Sequence, residues 1–444
     1  MGKRADLKRD ETWIRSGDRL RIVQKYGGSS VKDAERIRAV AARIAERWRQ
    51  GDELIVVVSA MGKTTDQLIA LAKDVAGGRR TAAHLEREMD MLLSTGEQVS
   101  IALLAMALGA LGVPAKSLTG WQAGIVTEAV HEKARIETIH AQKLEALLAA
   151  RTVAIVAGFQ GVTEDGEITT LGRGGSDTTA VALAVATGAD RCEIYTDVPG
   201  VYTTDPRLVP DACLLQTVTY DEMLELAHLG AGVLHPRSVE LAKRHRMPLL
   251  VASSYVDEGG TLIVERAQSL ENGRLVTGVA LDKAVARVTL VGLPMRETTL
   301  AELFGALAKA NVNVDIIIHT TRTDGTTDVA FSVHEDDVEL AREVIGDLKE
   351  RLGFAALESE QGLSKVSIVG SGMVTHPGVA AEMFRLLSEA GIAVKMVSTS
   401  EIKVSVVIPR EAGAEAVRVL HSGFGLGDDR GHGALAARIA EQAG

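Results

Sequence analysis

The spacing of apolar positions predicts an α/β architecture for the N-terminal half of the chain. From Arg21 to about Gly260, short β-branched runs alternate with longer segments whose apolar residues recur at helical spacing. Such alternation is typical of a parallel or mostly parallel sheet covered by helices. The predicted strands are Arg21–Lys25, Leu54–Ser59, Val153–Gly158, Glu193–Thr196 and Leu249–Ala252, and the predicted helices are Asp33–Trp48, Ser94–Leu111 and Ala180–Thr187.

An internal repeat follows Gly260. The run Val288-Thr-Leu-Val-Gly292 is echoed by Val366-Ser-Ile-Val-Gly370, and each copy precedes a helical pattern and a second strand. The helices are Leu300–Ala310 and Ala380–Ala390, and the second strands are expected to begin at Val312 and Ile392. Because one such βα module buries little apolar surface alone, the two should pack on each other or on another subunit's pair. The repeat therefore predicts a homo-oligomer.

Composition narrows the class of ligand. A chain of 444 residues is too long to fold around a single hydrophobic core, so several domains are expected. Its content of 46% apolar and 24% charged residues is ordinary for a folded protein. A net charge of −10 and only 3% aromatic residues provide neither a basic surface nor stacking rings, so nucleic acid is an unexpected partner. Cys192 and Cys213 are too few for a disulfide framework. With no recognisable signal peptide or membrane-spanning run, we expect a cytoplasmic protein that binds small molecules.

Two glycine-containing segments follow predicted strands. In Lys25-Tyr26-Gly27-Gly28-Ser29-Ser30, glycines would let backbone N–H groups approach phosphate, while Lys25 adds positive charge. A plain strand-to-helix turn uses the same glycines, so both interpretations stay open. The run Ser59-Ala-Met-Gly-Lys-Thr-Thr65 resembles the end of a P-loop, but Val57 occupies the required first glycine position. The hydroxyl groups of Ser59 and Thr65 either bind a small carboxylate or cap the next helix.

A third segment, Leu171-Gly-Arg-Gly-Gly-Ser-Asp-Thr-Thr179, combines a bidentate cation, hydroxyls and a carboxylate. These groups suit an amino acid substrate, which carries both charges. Asp177 alone would also be an ordinary first-turn acid, but Arg173 between glycines has no such structural role.

A polar loop from Tyr195 to Arg207 follows the fourth predicted strand. Tyr202 suits a flat base, Asp197 a ribose or a metal-bound water, and Arg207 a phosphate. A solvated turn rich in Pro, Gly and Asp is the alternative.

Together these segments resemble the motifs of aspartate kinases of the amino acid kinase family. Ser94-Thr-Gly-Glu97 completes the set, and Gly372-Met-Val-Thr-His-Pro-Gly-Val and Val397-Ser-Thr-Ser-Glu-Ile-Lys-Val-Ser resemble an effector-binding ACT module. The resemblance implies an amino acid kinase fold, a mostly parallel sheet sandwiched by helices, followed by two ferredoxin-like ACT modules. The implied bounds are an N-terminal extension over 1–20, a catalytic domain over 21–265, a first ACT module over 266–360, and a second module with a tail over 361–444.

The resemblance also implies an activity, the ATP-dependent phosphorylation of L-aspartate to 4-phospho-L-aspartate at the start of lysine, threonine and methionine biosynthesis. Lys25, Arg173 and Asp177 would be catalytic, and Mg²⁺ would arrive with ATP. ATP would be held by Lys25, Gly27, Gly28, Ser29, Thr196, Asp197, Tyr202 and Arg207. Aspartate would be held by Ser59, Thr65, Glu97, Arg173, Ser176 and Asp177. An effector, lysine or threonine, would meet Asn313, Asp315, His319, Ser398, Thr399, Ser400 and Glu401.

The chain departs from the family pattern at some positions. Several members carry a lysine where this chain has Gly232, so a nucleotide contact is absent or supplied elsewhere. Glu297-Thr298 replaces a frequent Pro-Gly in the first ACT module. Whether Met247 starts a separate regulatory subunit stays open.

The rival activities are another amino acid kinase, for glutamate or N-acetylglutamate, and a non-catalytic amino acid sensor. The paired modules and the Arg173 segment argue against the first. Intact Lys25, Arg173 and Asp177 argue against the second.

The two repeats differ at one turn, which predicts effector selectivity. Asn313 offers a donor and an acceptor to an amino acid, whereas Ala393 at the equivalent position offers neither. Threonine inhibition should therefore be weak or absent, with any inhibition coming from lysine, and Ala393→Asn should increase threonine sensitivity. Titration of each amino acid against activity and melting temperature tests this, because a ligand of the folded state raises that temperature. Strong threonine inhibition with a matching thermal shift would contradict it.

Overall fold

The protein is described from a computed structural model covering residues 19–76, 83–228, 233–256, 259–265, 275–294, 296–376 and 378–427. Most of the predicted N-terminal extension, Gly232 and the C-terminal end of the tail lie outside these residues. The chain divides into two compact units. The first comprises Met1–Gly200 and Val233–Arg266, and the second comprises Val201–Gly232 and Ala267–Gly444.

Eighteen strands and twelve α-helices are assigned in the described residues. The strands are β1 Arg21–Tyr26, β2 Glu53–Val58, β3 Ala115–Leu118, β4 Ile125–Thr127, β5 Ile136–Ile139, β6 Val153–Ala157, β7 Gln160–Val162, β8 Ile168–Thr170, β9 Arg191–Thr196, β10 Thr217–Thr219, β11 Leu249–Ser253, β12 Thr261–Val264, β13 Gly278–Leu293, β14 Val314–Thr321, β15 Thr327–His334, β16 Ala356–Val369, β17 Met396–Thr399 and β18 Lys403–Pro409. The helices are α1 Ala34–Arg49, α2 Thr64–Val75, α3 Ala83–Ala110, α4 Gln142–Ala149, α5 Gly175–Ala186, α6 Tyr220–His228, α7 Pro236–His245, α8 Thr299–Lys309, α9 Val338–Asp347, α10 Lys349–Leu352, α11 Val379–Glu389 and α12 Gly413–Gly423.

The first unit has a central sheet in the order β12-β11-β9-β1-β2-β6-β3. All of its neighbouring strands are parallel except β12, which runs antiparallel to β11. The predicted α/β fold is confirmed, and the five predicted strands are the five adjacent strands β11, β9, β1, β2 and β6. Because parallel strands end at one edge of a sheet, the segments after β1, β2 and β9 meet there. A smaller sheet, β5-β4-β7-β8, belongs to the same unit.

Helices α1 and α3 cover one face of this sheet. They share a buried cluster to which α1 contributes Ile37 and Ile44 and α3 contributes Ile101, Leu104 and Leu108. The segment Leu85–Ala110 is long and apolar enough to cross a membrane, but 44% of its apolar window is buried inside the protein. Its packing is that of a core helix. The predicted helix Ser94–Leu111 is therefore the second part of a longer one.

The second unit contains an antiparallel sheet in the order β14-β15-β13-β16-β18-β17. The long strands β13 and β16 each serve both ACT modules. The beginning of β13, Gly278 to Asp282, pairs with Val369 to Lys365, whereas its end pairs with the beginning of β16. The second module thus takes one strand from the chain that precedes the first module. The predicted boundary between the two ACT modules at residue 360 separates their helices, but the strands of the two modules pair across it.

The second strands of the repeat begin later than the pattern predicted. β14 starts at Val314 and β17 at Met396, rather than at Val312 and Ile392. Asn311 and Gly391, which follow the C-terminal caps of α8 and α11, have φ values of 58° and 69°. The apolar residues after them are buried in the turn before pairing begins.

The segment Val201–Gly232 is part of the second unit and is joined to it by buried polar contacts. Thr203 accepts a backbone hydrogen bond from Val279 at 2.8 Å, and its hydroxyl lies 2.9 Å from Nε2 of His421. The buried carboxylate of Glu222, on α6, accepts from the Thr277 hydroxyl at 2.7 Å and from the Ser371 N–H at 2.9 Å. Burial alone would raise the pKa of Glu222, but these donors together with Thr219 lower it. Glu222 is therefore a charged structural bridge.

We predict that Glu222→Gln destabilises the protein by about 1–3 kcal/mol, because it replaces one acceptor oxygen with an NH₂ donor that faces other donors in a buried site. The matched control is Glu225→Gln on the same helix, which breaks a partly exposed pair with Lys403 at 2.7 Å and should cost less. Thermal unfolding of both variants measures the difference. The pKa of Glu222 is lower in the folded state, so its contribution is complete above the unfolded pKa of about 4.3 and is lost as the pH falls through the folded value. Equal losses for both variants at neutral pH would contradict this role.

Candidate active site

Lys25 and Asp177 form an ion pair at the edge where the parallel strands end. The distance from Lys25 Nζ to Asp177 Oδ1 is 2.6 Å, and each side chain is 12% exposed. Alternation along β1 explains this contact, since Tyr26 enters the cluster under α1 and α3, whereas Lys25 points to the opposite face, where α5 packs. The pair brings the segment after β1 together with the segment 171–179.

The glycine turn after β1 is packed too closely for larger residues. A Cβ on Gly28 would lie 2.8 Å from the Ala60 carbonyl, and the Gly28 carbonyl accepts from the Gly62 N–H at 3.0 Å. On the other side, the Tyr255 hydroxyl donates to the Ser29 carbonyl at 2.9 Å. The Gly27 N–H donates to the Tyr195 carbonyl at 3.3 Å, which ties the turn to β9. Two loops and strand β9 therefore hold the shape of this turn.

Arg173 lies exposed between two glycines with left-handed backbone. Gly172 and Gly174 have φ values of 74° and 69°, and Gly174 is the residue that precedes α5. A Cβ on Gly174 would lie 2.1 Å from Cγ of His235, so only glycine fits beside this ring. Arg237, in the first turn of α7, donates to the Leu171 carbonyl at 2.9 Å. The loop is thus fixed at its ends while the Arg173 side chain faces solvent.

Ser176 and Asp177, in the first turn of α5, are buried beneath this loop. A Cβ on Gly158 would lie 2.7 Å from the Ser176 hydroxyl, which places this serine at the end of β6. Ser59 and Thr65 do not cap α2, because the capping position is Lys63 and no side chain caps it. The capping alternative raised from the sequence is therefore excluded, and the carboxylate-binding role of Ser59 and Thr65 stays a prediction.

Glu97 is a buried acid with one unsatisfied oxygen. Its Oε1 accepts from the Ala60 N–H at 3.1 Å, and its Oε2 has no hydrogen-bond partner among the described residues. Burial raises the pKa of Glu97 to about 8, although hydrogen bonds from backbone N–H groups oppose the shift. Ala60 also contacts Gly28, so Glu97 is connected to the glycine turn through one loop. The unpaired Oε2 of Glu97 is therefore suited to accept a hydrogen bond from a positively charged group of a ligand.

The residues predicted to bind nucleotide are divided between the two units. The Thr196 hydroxyl donates to Asp197 at 3.2 Å, and the Ser254 hydroxyl donates to the Thr196 carbonyl at 3.1 Å. Tyr202 and Arg207 belong to the second unit, where Arg207 pairs with Asp205 at 2.8 Å. Binding of phosphate by Arg207 would compete with this pair.

The predicted effector residues lie on the edge strands of the second unit. Asn313 precedes β14, which contains Asp315 and His319, while Ser398 and Thr399 lie in β17 and Ser400 and Glu401 follow it. Ile316 and Met396 belong to one buried cluster with Val285, Leu363 and Val407, so the two sets are neighbours. The Asp315 carboxylate is already paired with the ammonium group of Lys365.

Sequence reasoning missed several residues that support the site. Arg237 and His235 contact the Arg173 loop or lie beside it, whereas Ser254 and Tyr255 bond to the carbonyls of the predicted ATP-binding residues Thr196 and Ser29. The sequence offers one signal for this group, a proline at the first position of α7, where proline is common in helices.

Comparison with known proteins agrees with this geometry. Residues 20–253 match the model of the amino acid kinase family, and residues 298–353 and 366–424 match models of the ACT domain. Aspartokinase 2 of Bacillus subtilis (strain 168) is 55% identical over 405 residues, covering 91% of this chain and 98% of the relative. The chain belongs to the amino acid kinase family and, within it, to the aspartokinases.

Solved structures of this family are also similar. E. coli aspartokinase III in complex with aspartate and ADP (R-state) has a TM-score of 0.76 at 29% identity, covering 90% of this chain and 99% of that one. The complex of the same enzyme with lysine and aspartate (T-state) has a TM-score of 0.72 at 29% identity, covering 91% and 99%. The family resemblance inferred from the motifs is confirmed, whereas the roles of individual residues stay predictions.

We predict that the aspartate kcat/KM of this aspartokinase rises with pH through about 8, while the KM for ATP changes little. The raised pKa keeps Glu97 neutral below this value, and only its ionised form can pair with the substrate ammonium group. Glu97→Gln should lower kcat/KM for aspartate and flatten this part of the profile. A parent profile that stays flat between about pH 6.5 and 9 would exclude Glu97 as the ammonium partner.

Proposed function

We propose that the protein transfers the γ-phosphoryl group of ATP to the side-chain carboxylate of L-aspartate, giving 4-phospho-L-aspartate and ADP. The observation that carries this proposal is the contact between Lys25 and Asp177, which joins the glycine turn to the segment carrying Arg173. The aspartate and ADP bound by the related E. coli enzyme support the choice of substrates. The same contact supports catalysis over passive amino acid sensing, because it joins the predicted catalytic cation to a predicted substrate-binding residue.

The chemistry requires charge stabilisation more than proton transfer. An aspartate carboxylate oxygen attacks the γ-phosphorus, and the bond from that phosphorus to the β–γ bridging oxygen breaks and leaves its electron pair on ADP. The nucleophile is already ionised at neutral pH, so no general base is needed. Lys25 would neutralise charge on the transferring group, while Asp177 orients the ammonium group.

The remaining residues would hold the amino acid. Arg173 faces solvent and would take the α-carboxylate through its two parallel N–H donors. The unsatisfied oxygen of Glu97 would accept the α-ammonium group. Ser176 would donate to the reacting carboxylate beneath the Arg173 loop.

Mg²⁺ would enter with the nucleotide rather than occupy a protein cage. Among the residues described by the structure, no group of three or more His, Cys, Asp or Glu side chains is suited to a metal ion. When bound, the ion would neutralise phosphate charge. Lys25 would supply the protein's own positive charge at the transferring group.

Lysine is the effector that we favour for this protein. The related E. coli enzyme binds lysine in its T-state complex, and the predicted effector residues here lie on the neighbouring strands β14 and β17. A lysine ligand would compete with Lys365 for Asp315 or use Glu401 instead. We propose a cytoplasmic homo-oligomer joined through its ACT modules.

We predict that Lys25→Ala lowers kcat by roughly a hundredfold or more, because a preorganised charge is lost at the transferring phosphoryl group. Aspartate-dependent ADP release measures the effect, and the KM for aspartate should change much less. Lys143→Ala on the exposed side of α4 is the control for a lost surface charge and should retain the parent rate. A kcat within a few-fold of the parent in Lys25→Ala would overturn the assigned role.

A further inference from the structure

Asp90 is a fully buried carboxylate that belongs to none of the motifs described above. It lies on α3, and its Oδ1 accepts from the Thr170 hydroxyl at 2.5 Å. Its Oδ2 lies 2.8 Å from Nδ1 of His131, and the Glu132 N–H donates to both oxygens at 3.1 Å. A buried carboxylate is tolerated only where donors replace water, and here they come from two separate segments.

Both segments lead to the loop that carries Arg173. Thr170 is the last residue of β8 and stands immediately before Leu171 and Gly172. Glu132 has a left-handed backbone with φ of 61°, and its carbonyl would lie 2.9 Å from a Cβ on Gly172. The Ala134 N–H donates to the Thr170 carbonyl at 3.0 Å, which joins the two segments to each other. Asp90 therefore fixes the strand entering the Arg173 loop and the backbone on which the loop rests.

The same helix supplies Glu97. Residues seven apart in an α-helix lie on the same face, about two turns apart. Helix α3 therefore carries the predicted partner of the substrate ammonium group and also the anchor of the predicted partner of the α-carboxylate. A rigid helix sets the distance between these two positions, which must match the two charged groups on one carbon atom of the substrate.

We infer that Asp90 is a positioning residue for the amino acid substrate, acting through Thr170 and Glu132 to hold the Arg173 loop at a fixed distance from Glu97. This inference rests on the proposed function. Asp90 itself has no exposed surface and does not touch substrate. Its role differs from that of Arg237, which holds the Leu171 carbonyl from α7.

The strand β8 offers a matched pair of variants. Thr170 and Thr169 are adjacent and both buried, but the Thr169 hydroxyl bonds to Thr127 at 2.5 Å rather than to Asp90. Thr170→Val and Thr169→Val each keep the β-branched shape and remove one buried hydroxyl. Thr170→Val should lose somewhat more melting temperature than Thr169→Val, because it removes a hydrogen bond to a charged group. Only Thr170→Val should lower kcat/KM for aspartate, by about tenfold or more, because small displacements of a positioning group are costly.

The readout is a full kinetic analysis of both variants with aspartate and with ATP. The expected result is a raised aspartate KM in Thr170→Val, an ATP KM within about twofold of the parent, and near-parent kinetics in Thr169→Val. Equal kinetic effects in the two variants, or an equal rise in both KM values, would overturn the inference. Asp90→Asn provides a second test, because it keeps one acceptor and should give a smaller aspartate defect than Asp90→Ala. A parent enzyme without aspartate-dependent ADP release would instead refute the proposed function, which separates the two failures.

Discussion

The ion pair between Lys25 and Asp177 joins the two chain segments that carry the predicted catalytic residues. It joins the central strand β1 to the start of α5, and both side chains are largely withdrawn from water. Removing one partner from such a buried pair commonly costs about 3–5 kcal/mol, because the other charge is left without compensation. Neither residue can change freely, so the turn after β1 and the loop before α5 are held in a fixed relation. A reaction between two anions requires such a fixed cation.

Helix α3 carries two buried acids that differ in their hydrogen bonding. Asp90 is surrounded by donors from Thr170, His131 and Glu132, as a structural carboxylate should be. Glu97, two turns later, keeps one buried oxygen without a partner, and burial raises its pKa to about 8. Folding alone gives no reason to retain such an acid, since an apolar residue would avoid the desolvation cost. The contrast on one helix separates the proposed positioning residue, Asp90, from the predicted partner of the substrate ammonium group, Glu97.

The sequence predicted the strands and motifs well because both depend on local patterns. Continuous β-branched runs mark buried parallel strands such as β2, and glycines beside Arg173 mark a backbone with positive φ. The sequence could not predict which residues and strands pair when they are far apart in the chain. Nothing near Asp90 indicates that its partners are Thr170 and Glu132, and nothing in the repeat shows that β13 completes the second ACT module. The place of Arg237 likewise follows from packing between α7 and the Arg173 loop, which no spacing rule describes.

The shared strands of the second unit connect its two ACT modules. β13 and β16 each belong to both ACT modules, so a change of pairing in one module alters the strands of the other. The N–H of Val279, near the start of β13, bonds to Thr203, the residue after Tyr202. Glu222 bonds at the same time to Thr277 and to Ser371, which begins the Gly372 segment of the second module. The predicted nucleotide residues Tyr202 and Arg207 are therefore built into the unit that carries the effector strands. Under the proposed function, a ligand that favours one arrangement of these strands would act on that segment directly, without a separate relay.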